Sequence, residues 1–448
     1  RWLRKRVWHT VRWYSDTERL IQKYLTKMGQ LVLLGAFVGA LFGIDTRKTL
    51  GSQMFGLGIG LLLLGILALP LLNLPQRLRA NRKLPRYATV GTPVSYKIEL
   101  INDSDIITPN FTIREQITIP YPKLQDFLDI PAPWEAKVNP LDRWFGYPRW
   151  SWLIQLGRKV EPPKELVVGI LAAKAKTTVT LTLKPLRRGI LTLDGLTVLV
   201  SDPLGLIWRQ MVVTPPTRLI ILPKRYIIPP QRPAGRRRLQ PGGVSLASTV
   251  GDSQEFIGLR DYRPGDSLRH IHWPAWARSG TPVVKEYQDE YFSRQALILD
   301  SFTTPERVED FESAVAIAAS FVEPLQSSDN LLDLMFVADR AYTFTGGRGL
   351  LSSEAMLEIL ACVEASSEDF SKLDSAVRQH ASALSACVCV FLTWDQPRYN
   401  LVNYLHTLGI PVRILVIGNS AAKVQISILP NLHFLDPEHL ELGLANLA

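Results

Sequence analysis

The hydrophobic pattern of this chain changes character three times. Residues 29–44 and 54–74 contain no charged side chain. The second run, at about 20 residues, is long enough for a helix to cross a bilayer core, and the first needs its flanks or a locally thinned bilayer. A cleaved leader does not fit, because a long basic segment precedes the first run and a second apolar run follows closely. Gly35, Gly39 and Gly43 share one helical face, as do Gly56 and Gly60. Small residues four apart let helices approach closely, so a tight transmembrane hairpin is expected, 29–44 against 54–74. The chain opens on Arg1 rather than Met, so a native start upstream is expected.

From residue 75 to 228 the period shortens to two. Residues 94–100, 177–184 and 191–200 alternate polar and apolar side chains, with turn clusters at Asn102 to Asp105, Arg188-Gly189 and Asp194-Gly195. Short strands at this spacing predict an all-β domain, an immunoglobulin-like β-sandwich. Asp202-Pro203-Leu204-Gly205 has the residues a type I turn favours. Residues 120–163, with Trp134, Trp144, Phe145, Tyr147, Trp150 and Trp152, interrupt the strands. They read as an insertion, a loop packed on its own domain or a second contact with lipid headgroups. Residues 229–250 form a linker rich in Pro, Gly and Arg.

From 295 to 418 apolar strands alternate with helical stripes. Strands are expected at 296–299, 334–338, 387–393 and 412–417, and helices at 305–325, 354–365, 373–384 and 399–408. Thr304 and Pro305 sit where a helix takes a cap and a first-turn proline. A strand–helix series of this kind predicts a doubly wound, mostly parallel sheet, with ligands beyond the carboxyl ends of the strands, where Asp300, Asp339 and Asp395 fall.

Charge sharpens this picture. Net charge is +10 over 448 residues, yet residues 281–448 hold ten Lys/Arg against 22 Asp/Glu. The excess is local. Residues 1–28 hold eight Lys/Arg, residues 75–86 hold five, and residues 223–239 hold six. The loop between the apolar runs has only Arg47 and Lys48, with Asp45. The positive-inside rule then places both termini and the body in the cytoplasm, beside anionic lipid. Trp2, Trp8, Trp13 and Tyr14 among the N-terminal bases suit a helix at the membrane interface. No zinc finger, RNP-like strand or basic recognition helix is present, so no nucleic-acid partner is expected. Three cysteines, Cys362, Cys387 and Cys389, in apolar stretches read as buried free thiols and exclude a disulfide scaffold.

The densest chemistry lies in residues 251–287. Arg263-Pro264-Gly265-Asp266 fits a type II turn. Arg260, Arg263, Arg269 and Arg278 can pair with Glu255, Asp261, Asp266 and Glu286, and Trp273 and Trp276 can cover guanidinium planes, giving a cross-braced loop region. The run Glu255-Phe256, Gly258-Leu259-Arg260, Tyr262 to Asp266, Arg269, Ile271-His272-Trp273, Ala275 and Ala277-Arg278 resembles the signature of the bacterial "domain of unknown function 58" family. Arg188-Gly189 and Asp202 to Leu206 resemble a second stretch of that family. The resemblance implies a membrane-anchored cytoplasmic protein without established enzyme activity, with two spans, a β domain and a von Willebrand factor A-like α/β domain. It also implies a MoxR-type AAA+ ATPase as partner, and signature residues Glu255, Arg260, Arg263, Pro264, Gly265, Asp266, Arg269, His272, Trp273 and Arg278 as the interaction region. Such α/β domains often hold a metal at an Asp-x-Ser-x-Ser motif. Here Asp300-Ser301-Phe302-Thr303-Thr304 stands in its place, with Phe302 unable to ligate, so that a degenerate Mg²⁺ site would rest on Asp300, Thr304 and Asp395.

His270 and His272 would face one side of a strand and suggest a zinc pair, the basis of a metal-dependent hydrolase reading; a structural hydrogen-bonding role competes with it. Gly346-Gly347-Arg348-Gly349 is a weak phosphate loop, and no P-loop or Gly-x-Ser-x-Gly elbow is present. The sequence thus favours a multi-domain bacterial inner-membrane protein acting as a non-enzymatic adaptor. The hydrolase, and a purely structural membrane-surface protein, stand as alternatives.

Overall fold

The structure, a computed structural model, describes residues 2–43, 49–71, 78–229, 255–266, 268–288, 293–304, 307–325, 330–347, 350–366, 368–418, 429 and 431–447. Most of the expected linker at 229–250, Pro305, Arg348, Gly349 and the side chains of Glu255 and His270 lie outside the described residues. The chain divides into two compact units, residues 1–224 and 225–448.

The first unit opens with three helices: α1 (Trp2–Tyr24), α2 (Lys27–Phe42) and α3 (Thr49–Ala68). Among the described residues, Leu50–Ala68 is long and apolar enough to cross a membrane, whereas Lys27–Phe42 is a shorter apolar helix. The second helix thus lies earlier than the expected 54–74. A single short turn, Leu69–Leu71, follows it and contains Pro70, which has no N–H to continue the ladder.

α2 and α3 pack inside-out. Their buried positions are small, Gly29, Ala36 and Gly39 on α2 and Gly51, Gly58 and Gly65 on α3, with Leu62 the one large exception among the described residues. Leu31, Leu34, Phe37, Leu41, Leu57, Leu64 and Leu67 point outward and are exposed. A Cβ on Gly39 would stand 2.8 Å from the Phe55 backbone nitrogen, and one on Gly58 would stand 2.8 Å from the Ala36 Cβ. The expected glycine seam is corrected on two counts: Gly35, Gly56 and Gly60 face open space, and Gly51 and Gly58 make the α3 side of the contact. Spacing alone could not choose, because α3 carries glycines on more than one face.

Eleven strands follow: β1 (Leu78–Lys83), β2 (Tyr87–Thr89), β3 (Val94–Asn102), β4 (Phe111–Gln116), β5 (Val160–Glu161), β6 (Leu166–Val168), β7 (Lys176–Pro185), β8 (Gly189–Leu193), β9 (Gly195–Ser201), β10 (Trp208–Val212) and β11 (Thr217–Leu222). They form three sheets, β1-β3-β7-β5, β10-β9-β4-β6 and β2-β11-β8. One buried cluster draws on all three, through Ile98 and Leu100, Ile113 and Val198, and Leu193 and Ile221. The alternation read from the sequence is visible in β3 and β7, whose side chains are buried at every second position over much of their length. Inside the domain Arg82 donates to Glu115 at 2.7 Å and to Thr214 at 2.9 Å, and the Tyr96 hydroxyl donates to Glu115 at 2.9 Å. Burial pushes the Glu115 carboxyl up, and the Arg82 charge and the Tyr96 hydroxyl pull against it.

This network corrects the charge reading of residues 75–86. Arg82 is buried against Glu115, Arg79 pairs with Asp103 at 3.0 Å, and Lys83 lies 4.0 Å from Glu99. Of the five cations, Arg82 is therefore turned inward, which a count of charges cannot reveal, while Arg79 and Lys83 stay exposed beside their partners.

The insertion is helical rather than loop-like, with α4 (Leu124–Asp129), α5 (Pro140–Phe145) and α6 (Tyr147–Gly157). Trp8 of α1, Phe127 of α4 and Trp150 of α6 form a buried cluster, and the Trp8 indole donates to the Pro122 carbonyl at 3.2 Å. A buried Arg149–Glu135 pair, 2.9 Å apart, braces it. Trp152 is also buried, whereas Trp144, Phe145 and Tyr147 are exposed.

The second unit contains β12 (Glu255–Asp261), α7 (Trp273–Ser279), β13 (Val283–Gln288), β14 (Ser293–Leu299), α8 (Val308–Leu325), β15 (Asn330–Val337), β16 (Ala341–Gly346), α9 (Ser353–Cys362), α10 (Ser371–His380), β17 (Ala386–Phe391), α11 (Gln396–Thr407), β18 (Val412–Ile417), β19 (Leu432–Leu435) and α12 (Leu440–Ala445). Six strands form one sheet, β16-β15-β14-β17-β18-β19, parallel except for β16. On one face Ala296, Ile298, Met335, Cys389 and Ile414 pack with Leu373 and Val377 of α10 and Leu401 and Leu405 of α11. The residues of opposite parity, Leu297, Leu299, Leu334 and Val390, are equally buried, and α8 crosses these strands. Helix α8 begins at Val308, three residues later than expected. Cys387 and Cys389 are buried, and burial lifts the Cys387 thiol to about 12; Cys362 is exposed, against expectation.

Candidate functional site

Two sequence motifs and one strand-end cluster concentrate the polar chemistry. The first motif is the turn after β9. Asp202, buried, accepts hydrogen bonds from the backbone N–H groups of Leu204, Leu206 and Ile207 at 3.1, 2.5 and 2.7 Å. With its lone pairs filled by the turn, the carboxylate holds the Gly205 and Leu206 carbonyls outward. The Thr26 hydroxyl donates to the Gly205 carbonyl at 2.5 Å, and the Thr26 N–H donates to the Leu206 carbonyl at 2.9 Å. The same hydroxyl accepts from the Gly29 N–H at 3.0 Å and so caps α2. A Cβ on Gly29 would fall 2.0 Å from the Leu206 oxygen. Arg209 of β10 donates to the Leu69 carbonyl at the end of α3. The turn is thus the seat on which both ends of the apolar hairpin rest. The sequence marked Asp202 to Leu206 but not its partner, because Thr26 lies far away along the chain.

The second motif, expected as irregular loop, is an antiparallel pair, β12 with β13, whose connection carries α7. Asp266 accepts two bonds from the Arg260 guanidinium, both 2.7 Å, and one from the Arg263 N–H at 2.8 Å. These donors hold its carboxyl down at about 2. The Asp266 N–H donates to the Arg263 carbonyl at 3.0 Å, which closes the expected turn, and Gly265 has φ +107°. That backbone region favours glycine at the third turn position. His272 Nδ1 accepts from the Ala275 N–H at 3.1 Å and caps α7, whose first turn contains Pro274 and whose end is Gly280 at φ +72°. His272 therefore takes the structural hydrogen-bonding role. Trp273 and Trp276 stack on each other, centroids 5.3 Å apart. Trp273 and Leu268 are 63% and 67% exposed, and Arg263, Arg269 and Arg278 are exposed with them. The braced pair Arg260–Asp266 supports a surface, not a cavity.

The third feature lies at the carboxyl ends of β14 and β17. Asp300 is fully buried and accepts from Phe302 N–H at 3.1 Å, Leu392 N–H at 3.0 Å and Arg398 Nε at 2.7 Å. Arg398 Nη1 donates to Asp395 at 2.5 Å, while Asp395 caps α11 by accepting from the Arg398 N–H. Burial pushes the Asp300 carboxyl up; the Arg398 charge and the two backbone donors counter it. The Mg²⁺ expectation for Asp300, Thr304 and Asp395 meets an arginine instead. The guanidinium fills the space between the two carboxylates, and Thr304 is exposed, its carbonyl accepting from the Arg307 N–H. These residues do not fit a Mg²⁺ site. Asp300 and Asp395 meet through Arg398, three residues beyond Asp395, which the sequence reading did not single out. Asp339 lies apart on the β15–β16 turn, bonded to the Tyr342 hydroxyl at 2.7 Å. Among the described residues no group of three or more His, Cys, Asp or Glu is placed to hold a metal.

The second unit thus combines strand ends closed by an internal ion pair with a braced surface hairpin. Residues 258–408 match the family described as "Protein of unknown function DUF58". The likeness covers about a third of the chain, within its C-terminal unit. No curated protein matches. Among solved structures, a CARDB domain from Pyrococcus furiosus in complex with di-metal ions aligns at 12% identity over 32% of this chain and 91% of that one, with a TM-score of 0.18. A GH20 exo-β-N-acetylglucosaminidase from Vibrio harveyi in complex with N-acetylglucosamine aligns at 8% identity over 81% of this chain and 78% of that one, with a TM-score of 0.16. At such scores neither defines a shared fold.

Proposed function

We propose that this protein is a membrane-anchored adaptor of the bacterial inner membrane. In this reading α2 and α3 are a transmembrane hairpin, and the body and both termini are cytoplasmic. The three sheets of residues 78–222 form an immunoglobulin-like sandwich, and the six-stranded sheet is a von Willebrand factor A-like domain. The partner is a MoxR-type AAA+ ATPase, bound through the β12–α7–β13 hairpin. The observation that carries this reading is the hairpin's outer surface. Its carboxylate and arginine are spent on bracing the turn, while Trp273, Leu268 and several arginines face outward. Tryptophan and arginine are enriched where proteins dock.

The test is capture of the full-length protein from its native membranes, with wild type compared with a Trp273→Ala, Leu268→Ala double variant. The reading expects a AAA+ ATPase with wild type and its loss with a folded double variant. Equal recovery with both would move the contact elsewhere, and enzymatic turnover by the purified chain alone would replace the adaptor by an enzyme.

A further inference from the structure

Helix α1 has two unlike sides. Trp8, with Val7 and Val11, is turned into the cluster with Phe127 and Trp150. Arg19 is drawn to the same side, donating to the Ile119 carbonyl at 3.0 Å and lying over the Tyr121 ring. The other side has no such cover. Trp2, Trp13, Leu20 and Tyr24 are exposed, Trp2 and Trp13 by 63% and 68%. They are separated by eleven, seven and four residues, spacings that return to one face of a helix with 3.6 residues per turn. Arg6 lies on this face with its guanidinium over the Trp2 ring at 4.1 Å, exposed His9 lies on it too, and exposed Lys5, Lys23 and the Arg12–Asp16 pair, 4.0 Å apart, border it. A row of tryptophan, leucine and tyrosine edged by cations is what the headgroup layer of an anionic bilayer accommodates: rings at the hydrocarbon boundary, lysines reaching to phosphates. Two further observations favour lipid as the occupant. Only two residues separate α1 from α2, so the C-terminal end of α1 stands where the apolar hairpin begins. The Thr26 contacts with Gly205 and Leu206 hold that junction in place.

We propose that α1 lies along the cytoplasmic membrane surface with the face of Trp2, Arg6, Trp13, Leu20 and Tyr24 in the anionic headgroup layer, while its Trp8 face grips the helical insertion. The inference rests on the reading of α2 and α3 as a membrane-inserted hairpin and gives that anchor a second, surface-bound element about 35 Å long.

The experiment uses the full chain with Cys362→Ser, reconstituted in vesicles of phosphatidylcholine with phosphatidylglycerol. A single environment-sensitive fluorophore is placed at Trp13→Cys, Ser15→Cys or Leu57→Cys, and quenching by lipids brominated near the headgroup or deep in the chain is read. The expected result is loss of emission at 13 with the shallow quencher, at 57 with the deep one, and little loss at 15. Quenching at 57 with none at 13 overturns the surface helix and leaves the anchor standing. No quenching at 57 by either lipid overturns both. A label at 13 that is unquenched but shielded in a concentration-dependent way assigns the face to a second copy and also overturns the proposal. Should a cysteine variant fail to fold, Trp13→Phe replaces it, and the portion of tryptophan emission quenched by shallow lipid should fall.

Discussion

The α2–α3 pair and the six-stranded sheet of the second unit solve opposite packing problems. In the helix pair the small residues touch, at Gly39, Gly51 and Gly58, and the large ones, such as Leu57 and Leu64, face out. In the sheet the large residues Leu297, Ile298, Leu334 and Ile414 are wholly buried. The sheet gains stability by removing apolar area from water. The helix pair leaves that area outside and gains from close backbone approach, as helices do when their surroundings are as apolar as their side chains. Apolar composition alone does not separate the two; which residues are spent on the contact does.

That contrast can be broken or sharpened by substitution. The largest effect is expected in the second unit at the strand ends. Arg398→Met leaves Asp300 buried beside no cation and should destabilise β14 and β17 by about 4 kcal/mol. Amide exchange in those strands reads it, and adding Asp300→Asn should restore most of the loss. Next comes the truncation pair. Ile298→Ala should cost about 3 kcal/mol in the sheet, whereas Leu57→Ala should change folding in micelles by less than about 0.5 kcal/mol. Equal costs would erase the distinction between the two regions. Gly58→Ile reverses the usual rule for cores. The added side chain meets the Ala36 Cβ and should loosen the hairpin by about 2 kcal/mol, visible as faster exchange in α2 and α3. His272→Ala removes the cap of α7 and should cost about 1 kcal/mol there, with no metal released from the wild type on chelation.

The smallest effect is a pH dependence. The Asp266 carboxyl is depressed to about 2 by Arg260 and the Arg263 N–H. Its contribution is therefore present above the ordinary carboxylate range and lost as pH falls from about 4 towards 2. Exchange at residues 263–266 should accelerate over that window in the wild type and be insensitive to it in Asp266→Asn.

Much of this was legible along the chain because it depends on neighbours in sequence. The Arg263 to Asp266 turn and the alternation of β3 and β7 are local rules. Even so, the signature region was expected as loop. β12 and β13 are short, and the connection from Asp261 to Val283 hides their pairing. The metal expectation failed for a related reason. Asp300 and Asp395 are strand-end acids, but Arg398 reads as a helical residue like any other until α11 brings it over Asp300.

The sequence by itself determined that two apolar runs precede a β region and a strand–helix series, where the Arg263 to Asp266 turn lies, that Asp266 would meet an arginine, and which family the chain resembles. Periodicity, turn chemistry and side-chain type are properties of short segments, and the chain carries them before it folds. Only the tertiary structure decided which glycines touch, that Arg82 turns inward to Glu115 rather than outward, and that Thr26 sits on the Asp202 turn. It also decided that a guanidinium stands between the two strand-end carboxylates. Each of those depends on a contact between residues far apart in the chain, where distance and burial, not composition, choose the partner.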